Sequence, residues 1–279
     1  MQPSLTSVIE ASARRPRPNF SPDVVMDTLK NGRGEIHVVR DDLLPGGTKQ
    51  RACGPLLEQL SRQGFSEFVY ASPFCGFAQI ALAYTCSKLG FSCTIFTERD
   101  RSRQDCKEPH AFTKLAEKFG ARIELCDSLE YAEQRAENFA SRAANRHKIP
   151  LGFSCAEFTS VFEVALSIQW DVIRLKLGKS PRRIWLPVGS GTLAGVFAQV
   201  LPDETEINCV NVHVLPDGDR RIRALNENPR FKLFSAPEVF ADHALKQPTI
   251  PSNTHYDAKL WQFISAHGQN GDLWWNVAR

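Results

Sequence analysis

The sequence lacks the features that mark membrane, secreted and nucleic-acid-binding proteins. It contains no run of about 18 apolar residues, the length that a membrane-spanning helix needs. Its first residues carry no apolar stretch of the kind that a secretory signal requires. Its 34 basic and 31 acidic side chains leave a formal net charge of only +3, so no strong general attraction to nucleic acid is expected. These absences predict a cytoplasmic protein, in the host cytoplasm if the source is a virus.

Metal-binding and disulfide patterns are also missing. The eight cysteines are scattered over positions 53, 75, 86, 93, 106, 126, 155 and 209, and none forms a CxxC pair or has a histidine at ligand spacing. Several lie in apolar stretches such as FSCTIF, which is typical of a reducing compartment. We therefore expect neither a metal site nor a disulfide framework.

Segments with the pattern of strands alternate with segments with the pattern of helices over most of the 279 residues. Such alternation is typical of βαβ units and a mostly parallel sheet, and so of the α/β class. The length suits one large α/β domain or two lobes. We predict a small lobe over residues 71–150 and a large lobe made from residues 1–70 and 151–279.

The individual elements are predicted from periodicity and from glycine stop signals. Helices are predicted at 52–64 with an early interruption at Pro55, and at 78–90, 107–120, 128–147, 156–178 and 192–201. Strands are predicted at 35–40, 66–72, 91–97, 121–126, 182–188 and 206–215. The polar residues 1–33 are expected to run along a surface, and residues 216–279 to mix short helices with loops.

The stretch LPVGSGTLAGVF (186–197) places glycines where a strand gives way to a helix. Such a junction aims backbone N–H groups and a helix N-terminus at one spot, which suits a phosphate, and Ser190 and Thr192 add hydroxyl donors. No GK[ST] follows, which excludes a Walker A loop. The spacing of Gly189, Gly191 and Gly195 departs from the dinucleotide fingerprint, although a nucleotide-binding protein remains an alternative. The alternative to a ligand site is that these small residues only form a tight turn and let the helix pack closely against its neighbours.

A second stretch, RDDLLPGGTKQRA (40–52), sets Lys49 in a tight glycine loop between a strand and a helix. A lysine held near an anion site and partly desolvated is suited to Schiff-base chemistry. The alternative is a solvent-exposed turn lysine.

A third stretch, YASPFCGFAQIALAY (70–84), is another strand-to-helix junction. Free N–H groups at this turn, near Ser72, Cys75 and Gly76, are suited to a substrate carboxylate. Cys75 at a helix N-terminus also has the setting of a thiol with a lowered pKa, although no histidine stands in a recognisable partner context. Together the three stretches supply an amine, a phosphate cradle and a carboxylate cradle. An enzyme that holds pyridoxal 5′-phosphate and an amino acid needs these three groups.

These motifs resemble those of the fold-type II pyridoxal-phosphate enzymes, the tryptophan synthase β family. The branch with the most similar motifs contains aminocyclopropane-carboxylate deaminase and D-cysteine desulfhydrase. VVRDDLLPGGTKQR is similar to that branch's lysine segment, and VGSGTLAG to its phosphate loop, one glycine shorter. HKIPLGFSCAEF (147–158) resembles a further family segment. The resemblance covers about 36–215.

The resemblance implies a fold, a cofactor and an assembly. The fold is two three-layer αβα lobes with mostly parallel sheets, and the assembly is a homodimer. Lys49 forms the Schiff base with the cofactor, and the phosphate contacts fall to Gly189, Ser190, Gly191 and Thr192.

The sequence departs from the family at two places. The loop SPFCGF (72–77) lacks the asparagine that family members carry near the cofactor ring, so the substrate carboxylate falls to backbone amides with Ser72, Cys75 or Gly76. At the C-terminal strand, where the family has Ser or Thr facing the pyridine nitrogen, DLWWNVAR offers Asn276 or Val277. THYDAKLW (254–261) resembles a segment that places an aromatic ring near the substrate, which makes Tyr256 a candidate.

Three functions follow from this reading. The first is a lyase, deaminase or decarboxylase that acts at Cα of an amino acid through Lys49. The second is the same chemistry on an amino acid attached to a thymine base in bacteriophage DNA, which the altered carboxylate loop and the basic cluster SARRPRPNF (12–20) would suit. The third is a catalytically degenerate protein that binds the cofactor.

Overall fold

Ten strands form two sheets in residues 18–100 and 108–279, the part of the chain that the computed structural model describes. The strands are β1 Met26–Asn31, β2 Gly34–Arg40, β3 Glu67–Ser72, β4 Ser92–Glu98, β5 Arg122–Cys126, β6 Arg146–Ile149, β7 Arg183–Val188, β8 Glu206–Asn211, β9 Phe231–Ser235 and β10 Asp272–Asn276. The helices are α1 Gln50–Ser61, α2 Ala78–Leu89, α3 Ala111–Lys118, α4 Leu129–Ala140, α5 Ala156–Leu177, α6 Thr192–Val200, α7 Arg220–Glu227 and α8 Trp261–His267.

The larger sheet has the strand order β1-β2-β10-β7-β8-β9, and the smaller has the order β5-β4-β3-β6. Every pair is parallel except β1 with β2. This confirms the predicted α/β class with mostly parallel sheets. The predicted lobe boundary at residue 70 falls inside β3, all of which pairs in the smaller sheet. The assignment of the other residues to lobes stays a prediction.

Three predicted elements differ from the structure. The helix predicted at 128–147 ends at Ala140, because Arg146–Ile149 leaves it to pair with β3 as an edge strand. Residues 26–31, in the polar stretch expected to run along a surface, form β1, an edge strand with exposed positions. Pro55 lies inside α1, and the helix continues past it to Ser61 although the proline has no N–H to donate.

The C-terminal part of the chain is more regular than expected. It contains α7, β9 and α8, and it supplies β10 to the centre of the larger sheet, between β2 and β7. All five residues of β10 are buried. Seven cysteines are free thiols, and Cys106 lies outside the described residues. All three basic residues of the cluster at 12–20 also lie outside them. Within the described ranges, none of the helices combines the length and hydropathy that a membrane span requires.

A buried polar network joins the end of β2, the start of α1 and β10. Arg51 donates to both carboxylate oxygens of Asp41, at 2.5 and 2.9 Å. The indole N–H of Trp275 donates to Asp41 and to the hydroxyl of Thr48, both at 3.0 Å. The backbone N–H of Thr48 donates to the carbonyl of Val277 at 3.1 Å. These bonds hold the loop before α1 against the central strand.

We expect Asp41→Ala to lower the free energy of unfolding by about 3–5 kcal/mol, because it leaves the Arg51 guanidinium buried without its counter-charge. Denaturant unfolding measures the change. Asp127→Ala is the control: its partner Arg99 is 3.6 Å away and both side chains are at least half exposed, so the loss should be about 1 kcal/mol or less. Equal losses in the two variants would contradict the role of the network.

Candidate active site

A cavity with about 750 Å³ of empty space, part of it open to solvent, lies where the carboxyl ends of strands from both sheets meet. Ligands of open parallel sheets bind at this edge, because the loops that follow the strands converge there. The wall is formed by Gly46, Lys49, Tyr70, Pro73, Gly76, Phe77, Ala78, Leu151, Gly152, Pro187, Gly189, Ser190, Gly191, Thr192, Leu193, Val214, Tyr256, Asp257, Val277 and Ala278.

Lys49 reaches this cavity from the loop between β2 and α1. Gly47 makes the turn possible: its φ is +62°, and an added Cβ would overlap the carbonyl oxygen of Val277. Burial lowers the pKa of the Lys49 amine from its ordinary value near 10.5 to about 8, and no carboxylate among the described residues forms an ion pair with it. About a tenth of the amine is therefore neutral and nucleophilic at pH 7, far more than for an ordinary lysine.

The predicted phosphate loop lies in the same cavity. Gly189, Ser190, Gly191 and Thr192 all line it, at the junction of β7 and α6. Gly191 precedes α6 with a φ of +81°, and the hydroxyl oxygens of Ser190 and Thr192 are 3.0 Å apart. The unpaired N–H groups of the first turn of α6 and its dipole favour an anion here. This loop is one glycine shorter than the family pattern, but it still presents both hydroxyls and a helix N-terminus.

The third stretch contributes only part of what the sequence suggests. Gly76 lines the cavity together with Phe77 and Ala78, so the start of α2 faces it. Ser72 and Cys75 are fully buried and do not line the cavity; the Ser72 hydroxyl donates to the carbonyl of Pro73 at 2.9 Å. Burial raises the pKa of the Cys75 thiol, which is the opposite of what an activated nucleophile requires.

A sequence profile of pyridoxal-phosphate-dependent enzymes matches residues 24–264, most of the chain. The protein belongs to this family. It is therefore an enzyme that uses pyridoxal phosphate, as the three motifs together predict. No curated protein sequence matches the chain.

Solved structures of several family enzymes share the fold. An aminocyclopropane-carboxylate (ACC) deaminase homologue superposes with a TM-score of 0.73 at 15% identity, over 100% of this chain and 95% of that one. The O-acetylserine-dependent cystathionine β-synthase from Helicobacter pylori has a TM-score of 0.68 at 14% identity, over 93% of each chain. Holo diaminopropionate ammonia lyase from Escherichia coli has a TM-score of 0.65 at 12% identity, over 99% of this chain and 89% of that one. The resemblance to fold-type II enzymes is confirmed.

Tyr256 and Asp257 approach the cofactor cavity from the loop before α8. Tyr256 lies close to the phosphate loop, since a Cβ added to Gly189 would be 3.1 Å from its ring. Asp257 is fully buried, and its two oxygens accept from the backbone N–H groups of Val277 at 2.7 Å and Ala278 at 3.2 Å. Burial raises its pKa well above the ordinary value, so the carboxyl group favours its neutral form.

Asp257 is the functional candidate that sequence reasoning missed. It is the only carboxyl group among the described residues that lines the cavity. Its position directly after Tyr256, in the segment THYDAKLW that resembles a family segment, is the signal that was available. Asn276 is the residue that the sequence suggested for the pyridine nitrogen. It is fully buried and does not line the cavity, and its amide donates to the carbonyl of Pro251 at 2.9 Å.

The cofactor fits the groups that the cavity presents. A desolvated amine suits the aldehyde, a helix N-terminus with two hydroxyls suits the phosphate, and a buried carboxyl group suits the ring nitrogen.

Gly152, from the HKIPLGFSCAEF segment, holds the phosphate loop in place. Its φ is +70°, an added Cβ would overlap the Ser190 side chain, and its N–H donates to the Tyr70 hydroxyl at 3.2 Å.

Gly152→Ala should weaken pyridoxal-phosphate binding at least tenfold (about 1.4 kcal/mol), because the new Cβ displaces Ser190 and the left-handed backbone is strained. Titration of the cofactor-free protein measures the affinity. Gly195→Ala is the matched control, since no atom lies within 4 Å of an added Cβ in α6. That variant should keep its affinity and gain up to about 1 kcal/mol of stability. A Gly152→Ala variant with unchanged affinity would refute the positioning role.

Three imidazoles meet beside the loop that precedes α2. The ring of His255 lies 5.5 Å from that of His110, 4.9 Å from that of His243 and 6.4 Å from that of Phe74. His255 is only 4% exposed. Burial, followed by the charges of His110 and His243, lowers its pKa from 6.5 to about 4.

The low pKa of His255 makes stability depend on pH. Because the unfolded chain protonates this imidazole below about 6.5 and the folded protein only near 4, its contribution is fully present above pH 6.5 and is lost as the pH falls towards 4. The slope should be up to about 1.4 kcal/mol per pH unit. Denaturant unfolding between pH 4 and 7 measures it. His255→Phe should flatten the slope, and an unchanged slope in that variant would contradict the assignment.

Proposed function

We propose that the protein is a pyridoxal-phosphate-dependent lyase, deaminase or decarboxylase that breaks a bond at Cα of an amino acid. The main observation behind this proposal is that the desolvated amine of Lys49 and the phosphate loop of Gly189–Thr192 line the same cavity. Similar folds occur in an ACC deaminase homologue and in diaminopropionate ammonia lyase, which supports the same reaction class.

Three groups would hold the cofactor. Lys49 would take the aldehyde, the loop with Ser190 and Thr192 would take the phosphate, and Asp257 would share a proton with the ring nitrogen. When bound, the cofactor supplies an electron sink for negative charge at Cα of the substrate. The neutral form that burial favours in Asp257 suits a group that donates or shares a proton at that nitrogen.

The protein's own residues would orient the substrate and move its proton. Gly76, Phe77 and Ala78 bring the N-terminus of α2 to the wall of the cavity. The Gly76 N–H donates to the carbonyl of Pro73 at 2.9 Å, so the donors for the substrate carboxylate would be the unpaired N–H groups that begin with Phe77. The Nζ atom of Lys49, with a pKa of about 8, is suited to accept and return the proton at Cα. Pro187, Leu193 and other apolar residues line the cavity and limit the access of water.

The alternative substrate, an amino acid attached to DNA, would be favoured by unpaired cations at the mouth of the cavity. The cleft that shares Leu151 with the cavity carries Arg146, Lys148 and Arg221. Each of these is paired with a carboxylate, at 2.7, 2.6 and 3.0 Å respectively. These three side chains are therefore engaged within the protein, which supports a free amino acid as the substrate.

The third hypothesis, a degenerate protein without catalysis, predicts loss of the reactive amine. Lys49 is present, lines the cavity and has a lowered pKa. These features support a working enzyme.

Cofactor uptake tests the role of Lys49. Cofactor-free protein should take up pyridoxal phosphate with visible absorbance, at a rate that rises with pH through a midpoint near 8, because only the neutral amine attacks an aldehyde. Lys49→Ala should abolish the absorbance, whereas Lys179→Ala, at an exposed position, should not. A midpoint near 10.5, the ordinary lysine value, would contradict the desolvated amine.

The reaction itself is tested by incubating the holoenzyme with a panel of free amino acids and measuring ammonia, 2-oxo acid and carbon dioxide. At least one amino acid should give product, and Lys49→Ala should give none while keeping its circular dichroism spectrum. Product formed only from amino acids linked to thymidine, and from no free amino acid, would overturn the proposed substrate class.

A further inference from the structure

The phenol of Tyr70 is a polar group of the cofactor cavity that has no role so far. Tyr70 belongs to β3, a strand that lies between β4 and β6 in the smaller sheet. It lines the cavity and is only 2% exposed. The phosphate loop, by contrast, follows β7 of the larger sheet. Tyr70 therefore brings a hydroxyl from the smaller sheet to a cavity whose phosphate loop belongs to the larger one.

The position of the Tyr70 ring is fixed by its neighbours. Its backbone pairs with Ile95 of β4 on one side and with Ile149 of β6 on the other. The ring packs edge-on against Phe153, with 5.6 Å between the ring centroids. The phenol oxygen accepts a hydrogen bond from the N–H of Gly152 at 3.2 Å. A group that is held in this way loses little conformational entropy when a ligand binds to it.

Gly152 sets the phenol beside the phosphate loop. A Cβ added to Gly152 would be 2.1 Å from the hydroxyl oxygen of Ser190 and 3.7 Å from that of Thr192. The N–H of the same glycine donates to Tyr70. The phenol and the two hydroxyls of the loop are thus grouped around Gly152, and all four residues line the same cavity.

The Tyr70 hydroxyl still has its hydrogen to donate. A phenol has one O–H donor in addition to its acceptor lone pairs. The Gly152 N–H uses the acceptor side, and no acceptor among the described residues takes the hydroxyl hydrogen. Burial raises the pKa of the phenol, so the group keeps this hydrogen at neutral pH. A buried donor without an acceptor is costly, which indicates that a ligand in the cavity supplies the acceptor.

The phosphate of the cofactor needs donors of this kind. A phosphate monoester carries a charge of about −1.5 to −2 near neutral pH and presents three acceptor oxygens. The hydroxyls of Ser190 and Thr192 are 3.0 Å apart, and their mutual hydrogen bond engages one of their two hydrogens. Lys49 is the only cationic side chain among the described residues of the lining, and it is assigned to the aldehyde. The phosphate is therefore left to uncharged donors.

We propose that the Tyr70 hydroxyl donates a hydrogen bond to the phosphate of the cofactor, as a third hydroxyl beside those of Ser190 and Thr192. The inference rests on the assignment of the phosphate to the loop Gly189–Thr192, and it does not depend on which bond of the substrate is broken. The phosphate is then held from both sheets, by α6 and its loop on one side and by β3 on the other.

Paired titrations of the cofactor-free protein with pyridoxal phosphate and with pyridoxal, which lacks the phosphate, test the proposal. The ratio of the two dissociation constants measures what the phosphate adds to the affinity. Tyr70→Phe keeps the ring and removes the donor, so it should lower this ratio at least about tenfold, the loss expected for a hydrogen bond to a charged group. Tyr84→Phe is the matched control, because Tyr84 does not line the cavity, and its ratio should stay within about twofold of the wild-type value.

Thr192→Ala separates the Tyr70 contact from the assignment of the loop. This variant should also lower the ratio, because Thr192 is one of the loop hydroxyls. An unchanged ratio in Thr192→Ala would refute the loop assignment, and the proposal with it. A lowered ratio in Thr192→Ala together with an unchanged ratio in Tyr70→Phe would overturn the Tyr70 contact alone.

A crystal structure of the holoenzyme distinguishes a direct contact from support of the loop through Gly152. Tyr70→Phe also leaves the Gly152 N–H without its acceptor, so a loosened loop would lower the ratio as well. A direct hydrogen bond requires the phenol oxygen at about 2.5–2.7 Å from a phosphate oxygen. A phenol oxygen more than about 3.5 Å from every phosphate oxygen would overturn the proposal.

Discussion

The burial of Asp41 is the constraint on which the site depends. A carboxylate taken out of water must be paired and hydrogen-bonded, and Asp41 meets this need with Arg51 and Trp275. Arg51 comes from α1 and Trp275 from the last strand, so the hydrogen bond from Trp275 to Asp41 joins segments 234 residues apart. Lys49, two residues before Arg51, is thereby held at the edge of the larger sheet.

The strand order then brings the other groups to the same edge. Strands β2, β10 and β7 are neighbours and parallel, so the residues after each strand emerge side by side. Lys49 follows β2, Val277 follows β10 and Gly189 follows β7. The amine and the phosphate loop, 140 residues apart in sequence, meet because the sheet places their strands next to a shared neighbour.

Burial also sets the chemistry of the cavity. It lowers the pKa of Lys49 to about 8 and raises that of Asp257, so the neutral form of each group is more populated than it would be in water. A neutral amine attacks an aldehyde, and a neutral carboxyl group can donate a proton. Removal from water thus shifts the pKa values of both groups in the directions that suit Lys49 to the aldehyde and Asp257 to the ring nitrogen of the same cofactor.

The sequence predicted the parts of the site that depend on local pattern. Glycines at strand-to-helix junctions identified Lys49 and Ser190, since a tight turn and a helix N-terminus are encoded within a few residues. It missed Asp257, whose surroundings are set by backbone groups about 20 residues later in the chain. It also placed Cys75 at the site, because side-chain direction at a helix N-terminus depends on packing that the sequence pattern does not show. The edge strands β1 and β6 were missed for a related reason: both are polar, and only their pairing partners define them.

Peptide mapping after borohydride reduction of the holoenzyme tests the central claim most directly. Reduction fixes the cofactor to the amine that holds it, and mass spectrometry then identifies the modified peptide. We predict a stoichiometric pyridoxyl group on Lys49, in the GGTKQR segment. A modification on another lysine such as Lys259, or a folded protein with no modified peptide, would contradict the account.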